Sequence, residues 1–340
     1  YRTYWLTPVI DYYVAKTNMD VQGTVLTGKE FFFQIAGPKS LEILEHAAKA
    51  DFHDIGFARH EMKSIAGVPV RVLRLGMAGT LAYEVHGDMD KQEEVYQAIW
   101  EAGQAYGIKK LGRVAYCMNH TEAGFANINT HYPMPWFEDE DIAKFMWAHP
   151  EISWMNINRQ LIGSMGDELE LRFKTPYDVG WGDLVKYDHE FPGRAALEKI
   201  AAEDKNRIVT LEWNAQDVAA VYQTQFEGRD VEACESIDEF PNDVFYNAPK
   251  GFTFRADWVK ADGKIVGSSY GRLNSIYYRR MISLGCIEKE YAEEGKELTL
   301  VWGTPGTRQM EIRVKVARCP YLTLENNKDI DVSSIPRYQG

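Results

Sequence analysis

Between Phe31 and Tyr106 the apolar positions of this chain follow two periods by turns. Phe31-Phe32-Phe33-Gln34-Ile35 is an apolar run of strand length. Gly37-Pro38-Lys39-Ser40 then opens a helix from Leu41 to about Ala50, because proline is tolerated in a first helical turn. Met62 to Leu75 carries two β-branched runs around Gly67-Val68-Pro69, and "LAYEVHG", Leu81 to Gly87, adds another strand. These strands pair most simply as neighbours in one antiparallel sheet. From Lys91 to Tyr106 the positions Val95, Ala98, Ile99, Ala102 and Tyr106 fall at helical spacing, and Gly107 supplies the stop. Strands and helices mix without strict βαβ order, which predicts an α+β fold.

A tryptophan- and proline-rich connection follows, "HYPMPWFEDEDIAKFMWAHPEISW". From Arg207 the texture changes to short β-rich runs, "RIVTLEW", "FTFRADWV", "KIVGSSYG", "ISLGCIE", "ELTLVWG" and "MEIRVKVARCP", separated by turns such as Ala261-Asp262-Gly263 and Thr304-Pro305-Gly306. This predicts an α+β region over 1–204, of two interwoven subdomains, and a C-terminal β-barrel or sandwich over 205–330. All 8 histidines lie at or before His189, so acid–base chemistry near neutral pH belongs to the first region. The opening "YRTYWLTPVIDYYV" is apolar-periodic and reads as the middle of a domain, so we expect the first region to lack its N-terminal part.

Composition narrows the function classes. With 340 residues, 45% of them hydrophobic, the chain can bury a large core in two or three domains. A net charge of -12 and a pI near 5.2 oppose general affinity for nucleic acid or anionic membranes. The 4 cysteines, Cys117, Cys234, Cys286 and Cys319, are far apart and form no paired metal-ligand motif, so we expect neither a disulfide framework nor a structural metal. No run approaches the roughly 20 apolar residues that span a bilayer. A cytoplasmic enzyme with a small-molecule substrate and no nucleic-acid or membrane partner is the expectation, with its oligomeric state open.

Several stretches then converge. "FQIAGPKSLEIL", "GMAGTLAYEVHG", "LGRVAYCMNHTEAGF", "TPYDVGWGDLVKYDHEFPGRAAL" and "YGRLNSIYYRRMISLGCIEKEYAEEGKELTLVWG" resemble, in order and spacing, the folate-binding aminomethyltransferase fold of the glycine-cleavage T-protein superfamily. Within it the chain is most similar to the tetrahydrofolate-dependent O-demethylases of vanillate, methylgallate and syringate. The resemblance implies an α+β folate-binding fold with a C-terminal β-barrel, tetrahydrofolate as cofactor and a methoxy-aromatic acid as methyl donor.

The resemblance also assigns residues. Glu84 stands where the family's glutamate binds the pterin. A pterin presents a ring N–H beside an amino group, a donor fork that a carboxylate accepts in bidentate fashion. Strand alternation alone would make Glu84 the solvent-facing residue of a half-buried strand. Tyr83 beside it either flanks the cofactor or packs in the core. In "AYCMNHTEAGF" the T-protein's Arg-Asp-Ser is replaced by Tyr116-Cys117-Met118, and the demethylases place a catalytic tyrosine at Tyr116. The methyl leaves a phenolic oxygen whose parent acid has a pKa near ~10, so that oxygen departs poorly unless it is protonated or hydrogen-bonded. Cys117 reads as a small buried residue, and His120 as structural.

Tyr177 and Trp181 match a segment near the folate in relatives. Arg2, Asn156 and Arg159 lie where relatives contact substrate, and an arginine there suits a carboxylate. Trp136, Trp147 and Trp154 can wall an aromatic pocket or serve interdomain packing. Two other functions stay open: an aminomethyltransferase or folate-dependent demethylase of an aliphatic sulfonium or amine, and a non-catalytic folate-binding module. Tyr116 argues against the T-protein itself, and the iron-sulfur assembly factors' Lys-Gly-Cys-Tyr string does not occur.

Overall fold

A computed structural model of the chain describes residues 6–17, 20–77, 79–128, 131–149, 159–237 and 252–339. The chain divides into two compact units, 1–119 with 322–340, and 120–321. The expected boundary at 204/205 falls just before the first barrel strand and does not coincide with this division.

In the first unit, helix α1 (Thr7–Thr17) precedes β1 (Glu30–Ala36), α2 (Ser40–Ala48), β2 (His60–Ile65), β3 (Val68–Leu73), β4 (Ala82–Asp88) and α3 (Gln92–Gln104). The four strands form one antiparallel sheet in the order β1-β4-β3-β2, the pairing expected from the sequence. Alternation along β1, β3 and β4 sends Phe31, Ile35, Val70, Val72, Tyr83 and Val85 to one face. There they join Leu41 and Leu44 of α2 and Val95 and Ile99 of α3 in one apolar cluster. Each such fully buried aliphatic side chain contributes about 1.5–3 kcal/mol.

The C-terminal stretch is tied to this unit by polar contacts. Arg74, 5% exposed, donates to Asn327 Oδ1 at 3.2 Å, to the Asn327 carbonyl at 2.8 Å and to the Ile330 carbonyl at 2.7 Å. His53 Nδ1 lies 2.7 Å from Glu45 and 3.0 Å from Asp51, while its Nε2 lies 3.0 Å from the Ile335 carbonyl. Both ring nitrogens therefore face acceptors, which calls for the imidazolium. Burial opposes that charge, but the Ile335 carbonyl and the two carboxylates outweigh it and raise the His53 pKa. Glu45 also receives the backbone N–H of Phe52 at 2.7 Å and of Tyr338 at 2.9 Å, and Arg337 pairs with Asp51. Glu45, Asp51 and His53 have the composition of a metal site, yet His53 spends both nitrogens on protein partners and holds the chain end instead.

Helix α4 (Arg113–Glu122) runs across the division. The second unit continues with α5 (Glu140–Ala148), β5 (Arg159–Ile162), α6 (Arg194–Glu203), β6 (Asn206–Trp213), α7 (Ala215–Gln223) and β7 (Phe252–Arg255). Strands β8 (Asp257–Ala261), β9 (Lys264–Ser275), β10 (Arg280–Glu288), β11 (Glu297–Trp302) and β12 (Met310–Ala317) close a barrel with β6 in the order β10-β6-β12-β11-β8-β9. Inward side chains of these strands, among them Leu211, Trp213, Val259, Leu300, Trp302 and Ile312, fill it. The run "FTFRADWV" is split between two sheets. Its first half, β7, pairs in parallel with β5 outside the barrel, and only its second half, β8, enters the barrel. Arg255 at the junction lies between Glu235 and Asp257, with its guanidinium 3.8 Å from the Trp302 ring centroid. All 4 cysteines are free thiols, and among the described residues no helix is long and apolar enough to cross a membrane.

Candidate active site

The other face of the β1–β4 pair has a different character. Strand alternation that buries Tyr83 and Val85 turns Glu84 and His86 outward, with side-chain exposures of 13% and 15%. Among the described residues the hydrogen-bonding contact of Glu84 is His86 Nε2, at a long 3.4 Å. The antiparallel register sets Phe32 opposite His86 and Gln34 opposite Glu84. The Phe32 and His86 rings meet edge to face at 5.1 Å between centroids. Gln34 Nε2 is buried and, among the described residues, has no hydrogen-bond partner. The "GMAG" turn crosses this face, with Ala78 outside the described residues. A Cβ at Gly76 would collide with the Cβ of Ala82 and stand 3.3 Å from Gln34 Nε2, so only glycine lets the backbone approach so closely.

Next to it lies a cavity of about 960 Å³ walled by Phe33, Ile43, Tyr96, Trp100 and Tyr116, with Gln34 also in its lining. Lys39, Lys109 and Lys110 add a basic border. Lys110 Nζ sits 5.6 Å from the Tyr96 ring centroid and 5.3 Å from that of Trp100. Tyr116 is placed there by α4. Burial, then the neighbouring Cys117 and Glu84, push its phenol up to about 12. The hydroxyl is therefore protonated throughout the neutral range. Glu84 does not line the cavity, but its charge reaches Tyr116 and its cross-strand partner Gln34 forms part of the wall.

The remaining candidates fall elsewhere. Tyr83 requires a correction: it is 0% exposed in the apolar cluster of the first unit, so it is a core residue and not a cofactor contact. Its neighbour's outward direction and its own inward one follow from the same strand alternation. Arg2, Asn156 and Trp154 lie outside the described residues, as does the side chain of Arg159. Tyr177 and Trp181 belong to the second unit. There the Tyr177 hydroxyl meets that of Tyr187 at 2.7 Å, and Trp181 packs 5.1 Å from Phe125. Between them Asp178 accepts from Thr175 N at 2.9 Å and from Asn206 Nδ2 at 2.9 Å, which fixes the turn. Burial works against its charge, but these bonds outweigh it and lower its pKa. Trp136 is buried, whereas Trp147 is 69% exposed. Cys117 and His120 are buried, and His120 Nε2 pairs with Asn127 Nδ2 at 3.0 Å.

Gln34 was not among the residues singled out from the sequence. The available signal was a lone amide within "FFFQIA", and it gains meaning only from its register against Glu84.

The antiparallel sheet flanked by helices and the six-stranded barrel are joined here by direct likeness to known proteins: the chain belongs to the glycine-cleavage T-protein (aminomethyltransferase) family. Residues 4–132 match the GCVT N-terminal domain. The chain is 55% identical over 338 residues to a sesamin methylene transferase of Sinomonas sp. (strain No.22), covering 99% of this chain and 75% of that one. It is 34% identical over 306 residues to a syringate O-demethylase of Sphingobium sp. (strain NBRC 103272 / SYK-6), covering 86% of this chain and 63% of that one. The crystal structure of the glycine cleavage system aminomethyltransferase T from Bartonella henselae superposes with a TM-score of 0.53 at 13% identity, over 87% of this chain and 61% of that one, and supports the fold alone. The chain thus spans less than two thirds of the syringate O-demethylase and of the Bartonella protein.

The family is one of tetrahydrofolate-dependent one-carbon transferases. The residues present suit that cofactor. Among the described residues, an outward carboxylate with one long contact and a buried amide without a partner stand side by side on the sheet face.

Proposed function

We propose that this protein is a tetrahydrofolate-dependent O-demethylase that removes a one-carbon unit from the ether oxygen of a methoxy-aromatic acid. The observation that carries this reading is Tyr116, a protonated phenol in the wall of an aromatic-lined cavity, within electrostatic reach of Glu84. Bound tetrahydrofolate supplies the secondary amine that accepts the one-carbon unit. Glu84 accepts the pterin donor fork. Tyr116 donates a hydrogen bond to the ether oxygen as negative charge builds on it. With its phenol pushed up to about 12, Tyr116 keeps its proton against a phenolate of parent pKa about 10, so the hydrogen bond and not proton transfer stabilises the departing oxygen. The aromatic wall excludes water and packs the donor ring, and Lys39, Lys109 and Lys110 attract its carboxylate. The family resemblance adds Tyr177 and Trp181 as proposed cofactor neighbours, and Arg2, Asn156 and Arg159 as proposed substrate contacts.

A second reading, a methylene donor in place of a methyl donor, is favoured by the 55% identity to a sesamin methylene transferase. It makes the same demand on Tyr116, because an aromatic oxygen again departs. Incubating the intact protein with tetrahydrofolate and either a series of methoxybenzoates or sesamin, then weighing the folate product by mass spectrometry, tests both. A methyl adduct from methoxybenzoates supports the first reading and a methylene adduct from sesamin the second. Unchanged tetrahydrofolate with every donor would overturn both.

A further inference from the structure

We propose that Asn119 is a specificity-determining residue that hydrogen-bonds the ring oxygen next to the one that departs, so that the site selects aromatic donors with oxygens on adjacent ring carbons. This rests on the O-demethylase reading and adds to it a residue that reading did not use.

The polar groups in the cavity wall differ in how much of their bonding capacity is already spent. The Ser40 hydroxyl donates to the Leu81 carbonyl at 3.2 Å, and the Tyr106 hydroxyl meets His46 Nε2 at 3.1 Å. Lys39 pairs with Glu42 at 2.8 Å. Asn119 is half-buried in the same wall, and among the described residues its side-chain amide makes no hydrogen bond. A polar group that its own wall leaves unengaged is available to whatever fills the cavity.

Its place on α4 decides which atom it meets. Tyr116 and Asn119 are three residues apart, so they share one face of the helix with Cβ atoms about 5–6 Å apart. Helical side chains lean toward the N-terminus, which carries the Asn119 amide back over the turn that holds Ala115 and Tyr116. Ala115 also lines the cavity, and its single methyl leaves that turn open to a flat ring. A donor ring lying there with its departing oxygen at the Tyr116 hydroxyl presents the adjacent ring carbon to Asn119. An amide offers both a donor and an acceptor. Its Nδ2–H serves an ether oxygen at that carbon, as in a methylenedioxy or dimethoxy ring, and its Oδ1 serves a free hydroxyl. Leucine, of similar size, offers neither.

Calorimetric titration of the intact protein with the phenols that the transfer leaves behind tests this without depending on turnover. Protocatechuate, a benzoate with two adjacent hydroxyls, carries the neighbouring oxygen, and meta-hydroxybenzoate lacks it. Wild-type protein binds the first roughly three- to tenfold more tightly, the worth of one ordinary hydrogen bond. Asn119→Leu brings that ratio close to one. Asn119→Asp, an acceptor only when ionised, keeps the preference for protocatechuate but loses the preference for isovanillate, whose neighbouring oxygen is a methoxy. Melting curves confirm that each variant is folded, and either variant alone decides if the other is not.

Equal binding of the two phenols by wild-type protein, binding of neither, or a preference that survives in Asn119→Leu would overturn the role of Asn119. Mass spectrometry of the folate product keeps the two claims apart. One-carbon transfer by a protein whose ring preference ignores Asn119 leaves the demethylase reading standing. A preference lost in Asn119→Leu, with no transfer from any donor, leaves Asn119 as a ring-recognition residue and removes the demethylase.

Discussion

Glu45 and Glu84 are carboxylates of the same unit, and their surroundings differ in kind. Glu45 is fully buried and receives Phe52 N, His53 Nδ1 and Tyr338 N, at 2.7, 2.7 and 2.9 Å. Among the described residues Glu84 has one hydrogen-bonding contact, with His86 at 3.4 Å, and Gln34 Nε2 beside it has none. The first carboxylate is used up by its own chain and holds the C-terminal stretch in place. The second is left with hydrogen-bonding capacity on a face bordering a large cavity, where satisfying it from within would forfeit a ligand contact. Residue type does not separate the two. The count of donors around each does.

The contrast breaks most visibly in stability. Glu45→Ala leaves the His53 imidazolium buried with less compensation and should cost about 3–5 kcal/mol in chemical denaturation. Glu84→Ala should change stability by less than about 1 kcal/mol, because among the described residues its hydrogen-bonding contact is the long one to His86. Equal losses from the two substitutions would erase the distinction.

Turnover should show the reverse allocation. Tyr116→Phe keeps the ring and its packing but deletes the hydroxyl, and should lower the rate roughly 10²- to 10³-fold, the effect of removing one donor from a developing oxyanion. The loss should shrink for methoxy donors with electron-withdrawing substituents, whose phenolates leave with less help. A uniform loss across such a series would make Tyr116 a packing residue.

The clasp around Glu45 also carries a pH signature. Because the folded pKa of His53 is raised above its ordinary 6.5, its contribution is present in full below that value and is lost as the pH rises through the raised one. Asp51 behaves oppositely: the backbone N–H of His53, chiefly, with Arg337 and the His53 ring, lowers it to about 2, so its contribution holds above 3.8 and fades only as the pH falls through about 2. Melting temperature should therefore decline as the pH rises above about 6.5, and the decline should flatten in His53→Gln. A flat wild-type profile would mean that folding leaves the His53 pKa unshifted.

Local order was largely legible in the sequence. The run Phe31–Ile35 became β1, the helical spacing from Lys91 to Tyr106 became Gln92–Gln104, and the β-rich texture after Arg207 closed into the barrel. Each rests on periodicity, which is a property of neighbours. Features set by distant partners were not legible. Nothing near "FTFR" announces a parallel partner at Arg159–Ile162, and nothing near Asn327 announces Arg74. The candidate site shows the same limit. Alternation and resemblance marked Glu84, but Tyr83 shared the same motif and proved to be core, and Gln34 emerged only from strand register.

The central claim is that the unsatisfied face at Glu84 binds the pterin. Calorimetric titration of tetrahydrofolate into the wild-type protein and into Glu84→Gln tests it most directly. The account predicts a loss of about 1.5–3 kcal/mol in binding free energy, the value of hydrogen bonds to a charged group, with an unchanged melting temperature. Wild-type affinity in a folded Glu84→Gln protein would contradict it.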